Sequence, residues 1–117
     1  MAKLTTHILD LGRGGPAAGV RIRACAMRDG AWECLRDVRS NGDGRCDGPL
    51  LDGARFGVGR YRLEFHVGEY FRAADPAGAG PAFLDVVPVE FGVDDAAAHY
   101  HVPLLVTPWS YSTYRGS

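Results

Sequence analysis

Sixteen glycines and seven prolines fall among 117 residues, about one position in five. Glycine admits positive φ, while proline fixes φ and removes a backbone donor, so both punctuate regular structure. This density limits the chain to short elements joined by tight turns and excludes a bundle of long helices. The residues between the turns decide the class. Over 60–67, Tyr61, Leu63, Phe65 and Val67 point one way, while Arg60, Arg62, Glu64 and His66 point the other. That period of two marks a half-buried strand. Similar patterns predict strands over 3–11, 20–28, 31–39, 83–92, 99–107 and 109–115. In the first, Leu4, Thr6 and Ile8 share one face, and Thr5, His7 and Leu9 share the other. Asp29-Gly30 reads as a two-residue hairpin turn. Asn41-Gly-Asp-Gly44 reads as a second turn, which delivers Arg45. Pro88 marks its strand as an edge or a bulge. Only 68–74 reads as helix. Seven or eight short strands without βαβ spacing predict an all-β, antiparallel sandwich.

At this length the chain reads as one domain, residues 1–117, able to bury a core without disulfides or a structural metal. Lys and Arg number 13 against 14 Asp and Glu. So balanced a surface points away from nucleic acid and from anionic membranes, which need a cationic excess. The start carries no apolar leader, and no run approaches the ~20 apolar residues that span a bilayer. The cytosol is therefore the expected compartment. Cys25, Cys34 and Cys46 form no Cys-x-x-Cys pair. Cys25 and Cys34 lie in alternating segments and read as small buried hydrophobes. Cys46, beside Arg45 in a turn, is a candidate for a lowered thiol pKa.

Several residues are suited to chemistry. His99 and His101 share one strand face with Pro103, Leu105 and Thr107. A His-x-His pair can begin a zinc site, but a third ligand would have to come from elsewhere, and His7 and His66 are the only other histidines. His7 interrupts an apolar strand, so it either satisfies itself locally or lines a polar site. Arg45 is either a solvated turn residue or an anchor for an anion or carbonyl. The last strand is rich in hydroxyls and aromatics, with Ser110, Ser112 and Tyr114 on one face. No Gly-x-Ser-x-Gly elbow, Rossmann fingerprint or Walker loop is present, which argues against a covalent serine mechanism and a nucleotide cofactor.

Five segments together carry a resemblance. They are Leu4-Thr-Thr-His-Ile-Leu-Asp-Leu11, Gly15-Pro-Ala-Ala-Gly19, Asn41-Gly-Asp-Gly-Arg45, Tyr100-His-Val-Pro-Leu-Leu105 and Pro108-Trp-Ser-Tyr-Ser-Thr-Tyr-Arg-Gly-Ser117. They resemble the 5-hydroxyisourate hydrolases, the transthyretin-related enzymes of urate degradation, and the likeness runs from Lys3 to Ser117. The Tyr-Arg-Gly-Ser ending separates these hydrolases from hormone-carrying transthyretins. Trp109 and the arginine-rich second strand are ordinary variation.

The resemblance implies a transthyretin-like fold of two four-stranded antiparallel sheets and one short helix. It also implies a homotetramer, a dimer of dimers, with its sites at the dimer–dimer interface. By motif, His7, Arg45 and His101 are the implied catalytic residues. Tyr114, Ser112, Arg115, Gly116 and Ser117 join His7 and Arg45 in binding substrate. The implied reaction opens a ring amide of 5-hydroxyisourate with water and uses no metal or cofactor. Arg45 would stabilise the oxyanion, and one of the two histidines would activate the water. His7 is favoured for activation, with His101 holding water and substrate, although the sequence does not separate them. The competing readings are a non-catalytic carrier on the same fold and a small zinc hydrolase built on His99 and His101.

Overall fold

The computed structural model describes residues 2–78 and 80–116. Nine strands and one helix follow in order: β1 (Lys3–Asp10), β2 (Gly15–Pro16), β3 (Arg21–Arg28), β4 (Ala31–Arg39), β5 (Leu51–Asp52), β6 (Gly59–His66), α1 (Val67–Ala74), β7 (Val86–Val93), β8 (His99–Val106) and β9 (Tyr111–Thr113). One turn of 3₁₀ helix, Gly53–Arg55, precedes β6. The alternation expected over 60–67 is realised: Tyr61, Leu63, Phe65 and Val67 are buried, while their neighbours face outward. The β3–β4 hairpin turns at Asp29 and Gly30, with φ of 52° and 81°, the positive pair such a turn requires.

Two sheets pack face to face. One runs β4-β3-β6-β7; the other runs β2-β1-β8-β9, with β5 also paired to β1. Leu4, Ile8, Ile22, Leu63, Phe65 and Leu104 are fully buried between them. Burying each such side chain contributes about 1.5–3 kcal/mol. Pro88 lies in β7, an edge strand, where proline is tolerated.

The expected sandwich of two sheets with one short helix is present, and two details refine it. The β1–β8 pair is parallel, with Thr5 opposite His101 and His7 opposite Pro103. Parallel neighbours need a long crossover, and here the whole β4-β3-β6-β7 sheet lies between them in the chain. The β2-β1-β8-β9 sheet also has a fifth strand, because β2 and β5 pair with opposite ends of β1. The cysteines divide as well: Cys25 is buried, but Cys34 is exposed on β4.

Candidate active site

Alternation along β1 buries Leu4, Thr6, Ile8 and Asp10 and turns Lys3, Thr5, His7 and Leu9 outward. On β8 the same rule buries Tyr100, Val102, Leu104 and Val106. The parallel register then sets Lys3, Thr5 and His7 beside His99, His101 and Pro103 on one outer face. Residues far apart in sequence thus become neighbours.

Arg45 reaches this face through a loop sewn to β1. The Ile8 amide donates to the Gly44 carbonyl at 2.8 Å, and the Leu50 amide donates to the Leu4 carbonyl at 2.8 Å. Gly44 has φ of 72°, and a Cβ there would lie 2.4 Å from the Ile8 carbonyl oxygen. Both conditions demand glycine. Within the loop, the Asn41 side-chain oxygen accepts from the amides of Asp43 (2.9 Å) and Arg45 (3.2 Å). The Asn41 amide closes the loop on the Arg45 carbonyl at 2.7 Å. Sequence reasoning placed Asn41 only in a turn. Its Asx-type bonding to the amides ahead, a familiar habit of Asn in Asn-Gly-Asp-Gly runs, was the available signal.

The result is a cavity of about 470 Å³ whose walls include Lys3, Thr5, Arg45, Cys46, His99 and His101. The Thr5 hydroxyl bridges two imidazoles, 2.7 Å from His99 Nε2 and 2.8 Å from His101 Nδ1. Thr5 is a site residue that the sequence did not single out, since its partners follow from register alone. Arg45 is exposed, and no carboxylate pairs with it among the described residues. His7 does not wall this cavity, yet it lies on the same face within reach of the same cation.

Electrostatics tie the set together. Partial burial lowers the pKa of His7 below its ordinary 6.5, and the Arg45 charge lowers it further; the Asp43 carbonyl opposes both. Burial also lowers His101, followed by Arg45, His99 and His7, with the Thr5 carbonyl opposing. Both rings are therefore predominantly neutral at pH 7 and able to accept a proton. Cys46 does not show the lowered thiol pKa for which it was a candidate. Burial pushes its thiol up, outweighing the Arg36 charge, so it is not an activated nucleophile.

The C-terminal residues divide between the two faces of the sheet. Ser112 pairs with Leu105, and Gly116 bridges His101, its amide donating to the His101 carbonyl at 2.7 Å. Both take outward register positions, whereas exposed Tyr114 lies past the end of β9 and does not line the histidine cavity. Arg115 falls on the inward alternate, and its guanidinium lies 4.2 Å from the centre of the Tyr100 ring. Within one chain Arg115 and His101 therefore lie on opposite sides of the sheet: strand alternation and the cation–π contact turn Arg115 inward. Ser117 lies outside the described residues. A larger cavity, about 730 Å³, opens between the unpaired edges of β7 and β9, where it touches Phe91, Tyr100, Tyr114 and Arg115. Neither imidazole of the first site reaches it. For the zinc reading, no three His, Cys, Asp or Glu side chains converge as a ligand set among the described residues.

Comparisons with known proteins bear on this face. A 5-hydroxyisourate hydrolase of Ralstonia nicotianae is 53% identical over all of both chains. The crystal structure of an (S)-allantoin synthase matches with a TM-score of 0.91 and 44% identity, covering 99% of this chain. This chain spans only 44% of the length of that synthase. The structure of a Klebsiella pneumoniae 5-hydroxyisourate hydrolase matches with a TM-score of 0.81 and 33% identity over the whole of both chains. The family model described as HIUase/Transthyretin matches residues 4–116. With the fold, the outer-face histidines and these likenesses agreeing, the chain belongs to the HIUase/Transthyretin family.

Proposed function

We propose that the chain hydrolyses 5-hydroxyisourate, opening its six-membered ring at a ring amide on the face made by β1, β8 and the Arg45 loop. One observation carries this reading: two imidazoles of lowered pKa share a face with a guanidinium that pairs with no carboxylate among the described residues. An imidazole takes a proton from water while the water oxygen bonds to the amide carbon. The carbonyl oxygen becomes an oxyanion, which Arg45 stabilises with fixed donors. The carbon–nitrogen bond then breaks, and the imidazolium returns its proton to the departing nitrogen. The products are a carboxylate and a free ring nitrogen, and water supplies every added atom. Ser112 and Gly116, on the same face, border the substrate.

The hydrolases at about half identity over the full length support the substrate. A carrier of an apolar aromatic molecule, the other role on this fold, has no need of a base or an unpaired cation. The proposal extends to a homotetramer, a dimer of dimers working in the cytosol. The face is shallow in one chain, and β7 and β9 leave unpaired edges on one side of the sandwich. Unpaired edges invite strand pairing with a second copy, and stacked dimers would enclose the open face. The test is the ultraviolet decay of freshly generated 5-hydroxyisourate. Purified protein is expected to accelerate it well above the buffer rate, and decay at the buffer rate overturns the reading.

A further inference from the structure

The proposed chemistry needs a base but leaves open which histidine serves and what Thr5 and His99 contribute. A threonine hydroxyl carries one proton, so of two imidazole nitrogens at hydrogen-bond distance it donates to one and accepts from the other. Thr5 Oγ1 lies 2.7 Å from His99 Nε2 and 2.8 Å from His101 Nδ1. Two arrangements exist, and they differ in the tautomer of His101. If Thr5 donates to His101, the ring carries its proton on Nε2 and has no free lone pair. If Thr5 donates to His99, His101 must present Nδ1–H, and its Nε2 is left as an open base.

We infer that Thr5 and His99 act as a pair of positioning residues that hold His101 in the Nδ1–H form, with His101 Nε2 as the base that activates water. His99 supplies the acceptor that draws the Thr5 proton away from His101. Three features of the site support the arrangement. No described residue bonds His101 Nε2, whereas Nδ1 is engaged by Thr5. The opposite edge of the ring is closed by Gly116, where a Cβ would lie 2.6 Å from His101 Cδ2. The ring is thus gripped on two edges, leaving Nε2 for substrate-side chemistry. The Thr5 carbonyl also favours a protonated ring, so it stabilises the imidazolium formed during turnover. A base oriented by a third group through its second nitrogen is a recurring solution to water or hydroxyl activation. The charged and titratable groups around His101 are Lys3, Thr5 and His7 from β1, His99 from β8, and Arg45 and Cys46 from the loop. Arg45, His99 and His7 all oppose its protonation, and among the described residues Thr5 Oγ1 is the one side-chain atom within hydrogen-bond distance of a His101 ring nitrogen.

This inference rests on the hydrolase reading for its kinetic consequence but not for its tautomer. Long-range proton–nitrogen NMR of the intact protein above pH 7, with His101 assigned through His101→Asn, reads the tautomer directly. The Nδ1–H form is expected in the unaltered chain, with a shift toward Nε2–H in Thr5→Val and in His99→Phe. In both variants kcat should fall about tenfold with little change in KM, the scale of one lost hydrogen bond. Thr5→Ser, which keeps the hydroxyl, should restore both tautomer and rate and guards against a merely structural loss. An Nε2–H tautomer in the unaltered chain, or full kcat in Thr5→Val, overturns the inference. No turnover by the unaltered chain would instead defeat the hydrolase reading, and the NMR result would still decide the tautomer.

Discussion

The outer faces of the two sheets treat charge in opposite ways. On β3 and β6, arginines meet carboxylates across the strands. Arg21 pairs with Asp37 at 2.6 Å, Arg23 with Glu64 at 3.0 Å, and Arg62 with Glu90 at 2.7 Å. Arg62 also covers the Trp32 ring at 4.8 Å. On β1 and β8 the outward positions around the cavity hold Lys3, Thr5, His99 and His101, and the nearby Arg45 has no such partner among the described residues. A face whose charges neutralise one another solvates the sheet and offers a ligand little. A face that keeps a cation uncompensated beside neutral bases retains interaction energy for a substrate. The difference lies in compensation, not in charge count, since the paired face carries more arginines.

Removing Arg45 is the most severe way to break the contrast. Arg45→Ala should reduce kcat/KM by about 10²–10³-fold, the scale of a lost oxyanion donor, and leave thermal stability essentially unchanged because the residue is exposed. The same variant sharpens the electrostatics. Lowered histidine pKa values keep the base neutral to lower pH, and activity falls as pH drops through them. Without Arg45, both histidines should move back toward 6.5. The acid limb of the residual rate should then shift to higher pH. An unmoved limb would mean that the titrating base does not sense Arg45.

How much of this was legible depended on the range of each interaction. The buried set Tyr61, Leu63, Phe65 and Val67 follows from local alternation, and the Asp29-Gly30 turn follows from two adjacent residues. His7, Arg45 and His101 were found by motif. Their convergence was not, because it depends on the parallel β1–β8 register between residues more than ninety positions apart. For the same reason Thr5 went unremarked: a threonine in a strand looks like any other until His99 and His101 are placed beside it. The contact of Arg115 with the Tyr100 ring likewise depends on the pairing of β9 with β8, which sequence alone does not set. The candidate role of Cys46 was left undecided because proximity to Arg45 in the chain says nothing of the burial that governs its thiol.

A smaller effect is expected from closing the gap at the C-terminal ladder. Gly116→Ala places a methyl against His101 Cδ2, and the ring can yield only by loosening its bond to Thr5. Displacement of a reacting group by a fraction of an ångström should lower kcat/KM by about ten- to a hundredfold. The Thr5-dependent tautomer signal should weaken in parallel. Unchanged kinetics would show that the ring tolerates the shift and that Gly116 is there only for the backbone bridge.

The mildest test addresses the paired face. Arg21 donates from Nε and Nη2 to the two Asp37 oxygens at 2.9 and 2.6 Å, a bidentate geometry that holds its guanidinium charge more firmly and lowers the Asp37 pKa. Both side chains are nonetheless about two-fifths exposed, at 39% and 41%, so solvent screens the pair. Arg21→Gln, Asp37→Asn and the double variant should therefore change Tm only slightly. The coupling between them should shrink as salt is added, and kcat/KM should stay within about twofold of the unaltered value. A loss of activity in Arg21→Gln comparable to that in Arg45→Ala would defeat the comparison. It would mean that an arginine already neutralised by its neighbour matters as much as one that is not, and that compensation is not what separates the chemical face from the solvated one.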